Sequence, residues 1–213
     1  MKKISKYDRV VQIIRRLKKD FPEARTALTF ENPLQLLIST ILSAQCTDKR
    51  VNVITPMLFA KYKTAKDFAE VDSGELEIDI KSTGFYKMKA KHIKGACRAI
   101  LDNHKGIVPQ TMEDLTSLPG VGRKTANCVL GGAFGIQSGF VVDTHVIRLS
   151  NRLGLTVNQD AEKIEIDLME CVPKKEWYRF SNLLILHGRK TCNARRPLCN
   201  ECKLADLCPY KSS

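Results

Sequence analysis

No run in this chain approaches the roughly 18 consecutive apolar residues that a membrane-crossing helix needs, so no such span is expected. The basic start, Met1-Lys2-Lys3-Ile4-Ser5-Lys6, is followed by no apolar stretch. That excludes a secretory signal and leaves the cytoplasm as the expected compartment, with association to the nucleoid through DNA. Convincing alternation of apolar and polar residues is missing, and Phe140-Val141-Val142 is too short to carry a sheet. No low-complexity linker separates the apolar segments. Acidic residues are in short supply: 23 Asp and Glu face 35 Lys and Arg, a net charge of +12 over 213 residues. A disulfide framework is not expected in a cytosolic chain of this size, despite eight cysteines.

The excess positive charge is concentrated. Residues 1–25 carry a net +6, residues 81–105 another +6 and residues 186–213 a net +4. Three basic segments on a near-neutral frame suit a polyanion, although a solvated basic surface gives the same composition.

Helical spacing dominates the rest. Val10, Ile13, Ile14 and Leu17 form an amphipathic stripe. Asn32-Pro33 is a helix start, and Leu34, Leu37, Ile38, Ile41 and Leu42 follow with too few polar neighbours for an exposed helix. Further helices are read around Val51–Leu58, from the capping pattern Thr64–Asp67, over 87–104, from Thr111, and over 124–134, 143–153, 161–171 and 176–187. The expected fold is all-α, with about ten helices. Gly135–Gly139 is the expected hinge, dividing the chain into a helical lobe at 26–137 and a second made of 1–25 plus 138–213. From the residues alone, the N-terminal helix could join either lobe.

Between two helices of the first lobe stands Leu118-Pro119-Gly120-Val121-Gly122-Arg123-Lys124. Pro119 ends the preceding helix, and Gly120 and Gly122 leave the backbone uncovered. The next helix begins at once, so its first N–H groups and its dipole make an anion site. This is a helix-hairpin-helix pattern over about 113–134, suited to gripping a DNA backbone; an ordinary interhelical turn is the plain alternative. Lys124 falls in the first turn. The helix N-terminus, the neighbouring Arg123 and partial burial would each disfavour its ammonium form, as a lysine nucleophile requires. A phosphate-contacting or merely solvated lysine is the competing reading. Asp143, in Val141-Val142-Asp143-Thr144-His145, reads as a helix N-cap and also as an oriented carboxylate for such chemistry. His145 suits either a phosphate contact or a satisfied helix position.

Four cysteines close the chain: Cys192, Cys199, Cys202 and Cys208, separated by six, two and five residues. Grouped thiolates suit zinc or an iron–sulfur cluster, and spacing alone does not choose between them. Cys46, Cys97, Cys128 and Cys171 stand singly in apolar stretches and read as small buried hydrophobes.

The hairpin Leu118–Lys124, the segment Val142-Asp143-Thr144-His145, the segment Leu42-Ser43-Ala44-Gln45 and the cysteine spacing together resemble the endonuclease III family over nearly the whole chain. These are bifunctional DNA glycosylase/apurinic-site lyases of the helix-hairpin-helix superfamily. The resemblance implies two helical lobes with DNA in the cleft between them, and a [4Fe-4S] cluster on the four C-terminal cysteines. It implies a monomer acting on double-stranded DNA that contains damaged, mainly oxidised pyrimidine, bases or abasic sites. Lys124 matches the nucleophile and Asp143 the catalytic aspartate. Gln45 matches a side chain that fills the hole left by a flipped nucleotide, and Phe85 stands at the place of an apolar wedge. Gly120, Val121, Gly122, Arg123 and His145 would meet DNA, as would Arg195 and Arg196 in the cysteine loop. A turn amide is the plain alternative for Gln45, and core packing for Phe85. The chain departs from the family pattern at Cys46, where a small residue is common, and at Gly131-Gly132 inside a helix.

Two other readings compete. A mismatch-specific adenine glycosylase of the same superfamily shares the cluster and the aspartate, but typically lacks the lysine and carries a further C-terminal domain. A non-catalytic DNA-binding module with a structural zinc site would explain the charge and the cysteines without chemistry.

Overall fold

The computed structural model describes residues 5–210; Met1–Ile4 of the basic start and Lys211 of the third basic segment lie outside them. The described residues form eleven α-helices and no strand: α1 Lys6–Asp20, α2 Pro33–Leu42, α3 Asp48–Lys61, α4 Ala65–Glu70, α5 Ser73–Ile80, α6 Tyr86–His104, α7 Met112–Ser117, α8 Arg123–Ala133, α9 Thr144–Arg152, α10 Ala161–Cys171 and α11 Trp177–Lys190. Short 3-10 turns lie at Lys81–Thr83, Lys174–Glu176 and Cys199–Glu201. The all-α expectation holds. Helix α5 is the one the apolar pattern does not reveal, because it buries only Leu76 and Ile80. Its start is a side-chain cap, with Asp72 Oδ1 accepting from the Glu75 amide at 3.1 Å.

The helices cluster into two compact units, Thr26–Ser138 and the described part of Met1–Arg25 with Gly139–Ser213. In the middle unit α2 is enclosed: Leu36, Leu37, Ile38 and Leu42 have no solvent exposure. It packs on α8, while α4 and α5 pack on α6. Caps set the starts. Asn32 accepts from the Gln35 amide at 3.0 Å with Pro33 behind it. Thr64 and Asp67 form a reciprocal capping box, with aspartate in place of the usual glutamate. The two backbone bonds to Asp67 hold its carboxyl below the ordinary range.

In the terminal unit, α1 turns Val10, Ile13, Ile14 and Leu17 into a core shared with Phe140, Val146, Leu149, Leu168, Phe180 and Leu184. Each such side chain contributes roughly 1.5–3 kcal/mol relative to exposure. Phe140 packs edge-on against Phe180, with ring centroids 6.3 Å apart. Cys97, Cys128 and Cys171 are buried as expected. Cys46 is not: it is half-buried in the turn after α2, where no helix face is available to cover it.

Candidate functional site

The hairpin is built as its glycines demand. Helix α7 ends at Ser117, and the Val121 amide closes the turn on the Leu118 carbonyl at 3.1 Å. Gly120 has φ +77°, a left-handed conformation that a side chain resists. A Cβ there would also lie 2.6 Å from the His92 ring of α6, so the backbone must approach that helix bare. Pro119 rests similarly on Gly95. Val121 is buried and anchors the turn, whereas Gly120, Gly122, Arg123 and Lys124 are exposed. Gly122 caps α8 without any side chain, so the first amides of the helix receive no side-chain cap. Open amides at a helix start form an anion site. Lys124 stands in this first turn with its side chain in solvent, so the partial burial expected for it is absent. One turn on, its charge acts on the buried Cys128 thiol, which burial pushes up and Lys124 pulls back.

Gln45 and Phe85, also in the middle unit, share an unusual backbone. Their φ angles are 51° and 48°, in the left-handed region that residues with a Cβ rarely occupy. Gln45 lies in the turn after α2 and Phe85 immediately before α6. Both are exposed, Phe85 to 66 %. That exposure removes core packing as the explanation for Phe85.

In the terminal unit, Asp143 caps α9. Its Oδ1 accepts from the Val146 amide at 2.8 Å, and the side chain is half-buried. The segment that delivers it is extended without being a strand. Phe140, Val141 and Val142 are buried, and side chains replace a ladder: the Phe140 amide donates to Glu165 of α10 at 3.2 Å and the Val141 amide to Ser181 of α11 at 3.1 Å. His145 packs so closely on α11 that a Cβ on Gly188 would sit 2.8 Å from its Nδ1. Arg148 lies 3.0 Å from the same nitrogen. Burial, with help from Arg148 and Arg189 and against Asp143, holds the ring below the ordinary histidine range, so it is neutral at pH 7.

The four C-terminal cysteines are half-buried and line one cavity of about 70 Å³ together with His187, Arg152 and Tyr210. Burial raises the Cys202 and Cys208 thiols first, and the neighbouring thiols add to it. Donors already address the sulfurs: the Leu204 amide lies 3.4 Å from Cys202 Sγ and Arg152 Nη1 lies 3.3 Å from Cys192 Sγ. Among the described residues, no three His, Cys, Asp or Glu side chains gather closely enough to hold a single metal ion. Four soft donors around one cavity suit a thiolate-bound metal group.

Sequence reasoning missed what holds this loop in place. Arg148 donates to the carbonyls of Gly188 and Cys192, both at 3.1 Å. Arg152 donates to the carbonyls of Asn193 at 2.8 Å and Ala194 at 2.9 Å and stacks on the Tyr210 ring. Their separation by four places, on one face of α9, was the available signal. Arg195 and Arg196 are exposed at the loop's outer edge. No helix among the described residues is long and apolar enough to cross a membrane.

The comparisons with known proteins agree with this geometry. Residues 38–174 match the family described as HhH-GPD superfamily base excision DNA repair protein. Endonuclease III of Synechocystis sp. is 55 % identical over 208 residues, covering 98 % of this chain and 95 % of that protein. A solved structure of a non-covalent Endonuclease III–DNA complex matches with a TM-score of 0.90 at 42 % identity, covering 97 % of this chain and 96 % of the other. A trapped Endonuclease III–DNA covalent intermediate matches with the same score and identity over 97 % of both chains. With its hairpin, its capped aspartate and its cysteine loop accounted for, the chain belongs to the endonuclease III family of the HhH-GPD superfamily of base excision DNA repair proteins.

Proposed function

We propose that this protein releases damaged, mainly oxidised pyrimidine, bases from double-stranded DNA and then nicks the abasic site, as a DNA glycosylase/apurinic-site lyase of base excision repair. The observation that carries the reading is Lys124, an exposed amine in the first turn of a helix whose start is left open by glycine. The hairpin amides and Arg123 grip a backbone phosphate, which brings that amine to the sugar.

In the proposed reaction the target nucleotide is extruded, because its glycosidic bond is out of reach inside the stack. The amine of Lys124 bonds to C1′ as the bond from C1′ to the base breaks. The base leaves with the electron pair and is protonated. Asp143 takes the proton lost by the amine and stabilises the cationic sugar; its cap bond to Val146 orients it. Opening of the sugar ring gives a Schiff base. Loss of a C2′ proton then expels the 3′ phosphate, cutting the strand 3′ to the lesion, and water releases the lysine.

Gln45 fills the vacated hole and Phe85 wedges the stack; the exposure and fixed backbone of both support this. His145, held neutral by burial, meets phosphate as an uncharged ring rather than as a cation. Arg195 and Arg196 contact phosphates beyond the hairpin. Cys192, Cys199, Cys202 and Cys208 would hold a [4Fe-4S] cluster, whose role when bound is to tie the loop into one rigid body. A yellow-brown protein supports that cofactor, and a colourless zinc-loaded one excludes it. The protein acts as a monomer in the cytoplasm, on the nucleoid.

Borohydride reduction with abasic-site duplex tests the whole. Covalent capture is expected for the wild type and none for Lys124→Ala. Capture that persists in the variant would place the nucleophile elsewhere.

A further inference from the structure

Lys89, in the first turns of α6, is only 3 % exposed. Lysine is rarely buried unless its ammonium is matched. Here the match is made by backbone: Nζ donates to the Leu42 carbonyl at 2.7 Å and to the Thr83 carbonyl at 2.8 Å. Leu42 is the last residue of α2, and Thr83 the last of the 3-10 turn Lys81–Thr83. Carbonyls at helix ends lack intrahelical partners and carry the negative end of the dipole, so a cation is well placed at both.

These anchor points have a common property. Gln45 lies three residues beyond Leu42, and Phe85 two beyond Thr83. Both are left-handed non-glycine residues. Such a backbone persists only where its surroundings over-determine it. One buried ammonium reaches the root of each loop. The remaining neighbour of note is Cys46, whose thiol acts on the Lys89 ammonium against the effect of burial.

We propose that Lys89 is a positioning residue that clamps the two loops together, setting the spacing at which Gln45 and Phe85 enter the base stack. The inference rests on the reading of those two side chains given above. Lys89 touches no DNA; it acts through the loops. It therefore matters for opening a duplex and not for attack on a sugar that is already unstacked.

The test compares single-turnover borohydride capture on an abasic site in duplex DNA and in a single strand, where no stack has to be opened. Lys89→Met keeps the length of the side chain and removes both donations. It should slow capture on the duplex about tenfold while leaving the single strand within about twofold, the scale of losing hydrogen bonds from a charged group. Lys89→Gln, able to serve one carbonyl, should lose about threefold on the duplex, and it carries the test if the methionine variant fails to fold. In a Gln45→Ala/Phe85→Ala background, Lys89→Met should add nothing. Equal losses on both substrates, no loss on the duplex, or an undiminished loss in that background would each overturn the clamp. If Gln45→Ala/Phe85→Ala itself captures duplex as fast as wild type, the reading of those two side chains fails first, and the clamp falls with it.

Discussion

The hairpin turn and the cysteine loop both carry exposed basic side chains, Arg123 and Lys124 in one and Arg195 and Arg196 in the other, yet they are built in opposite ways. The hairpin is shaped by what it omits. Gly120 lets the backbone lie against His92, and Gly122 leaves the start of α8 uncapped. The cysteine loop is shaped by what reaches into it. Arg148 and Arg152 hold its carbonyls from α9, and Arg16 of α1 donates to the Lys203 carbonyl and to Asp206. The hairpin is braced locally, the Val121 amide closing on the Leu118 carbonyl, and bare backbone and close packing define the rest of it. The cysteine loop has its backbone held from outside, by arginines of α1 and α9.

Gly120→Ala is the sharpest way to break the first design, because it adds a Cβ 2.6 Å from a ring atom at φ +77°. The strained backbone alone costs about 1–2 kcal/mol, and displacing His92 adds to it. Thermal melting should show a clear loss of stability, and affinity for abasic duplex should fall with it. A variant as stable as wild type would show that the turn tolerates a side chain. Arg152→Met attacks the second design. It removes bonds to Asn193, Ala194 and the Cys192 sulfur. Each hydrogen bond from a charged group is worth about 1.5–3 kcal/mol. Faster amide exchange confined to the loop around residues 191–208 is expected, and no change at the hairpin. Spreading of the effect to Leu118–Lys124 would contradict the independence of the two designs.

How far the sequence speaks differs between these regions for a physical reason. The hairpin is local: proline, glycines and the helix they interrupt lie within seven residues, so its conformation is readable from their order. The capping box at Thr64 and the cap at Asp143 are local in the same way. The cysteine spacing declares a ligand type, but its bracing is remote, since Arg152 lies 40 residues before Cys192. Helix α5 stayed hidden because two buried residues make no stripe. Phe85 was ambiguous because hydrophobicity says nothing of exposure, and the left-handed backbone under it is carried by a residue type that does not advertise it. The single cysteines show the same limit: Cys46 reads like the other three, and only the turn around it leaves it half-covered.

Gly122→Ser sharpens the comparison by separating stability from binding. The position has φ −91° and open space where a Cβ would go, so a side chain fits without strain. Serine at the cap would accept from an amide of the first turn of α8. That should stabilise the helix by only a few tenths of a kcal/mol, and it takes from the phosphate a donor that glycine leaves free. Melting temperature should rise slightly while affinity for duplex DNA falls. Tighter binding in the serine variant would mean that the amides are not the anion site.

The smallest effect concerns His145. Its folded-state value lies below that of a solvated histidine, because burial disfavours the charged ring; Arg148 and Arg189 add to this, and Asp143 and the backbone at Gly188 oppose it. As pH falls through the unfolded value of about 6.5, the unfolded chain takes up the proton first. The contribution of a neutral His145 to stability is therefore full above that range and is lost as pH falls through it. His145→Gln abolishes the titration. His187, also pushed down by burial, titrates in both proteins and cancels in the difference. Melting temperatures measured from pH 7.5 downward should converge, with wild type losing more than the variant below about pH 6.5. Parallel curves would show that the ring is as easily protonated in the folded protein as in the unfolded chain.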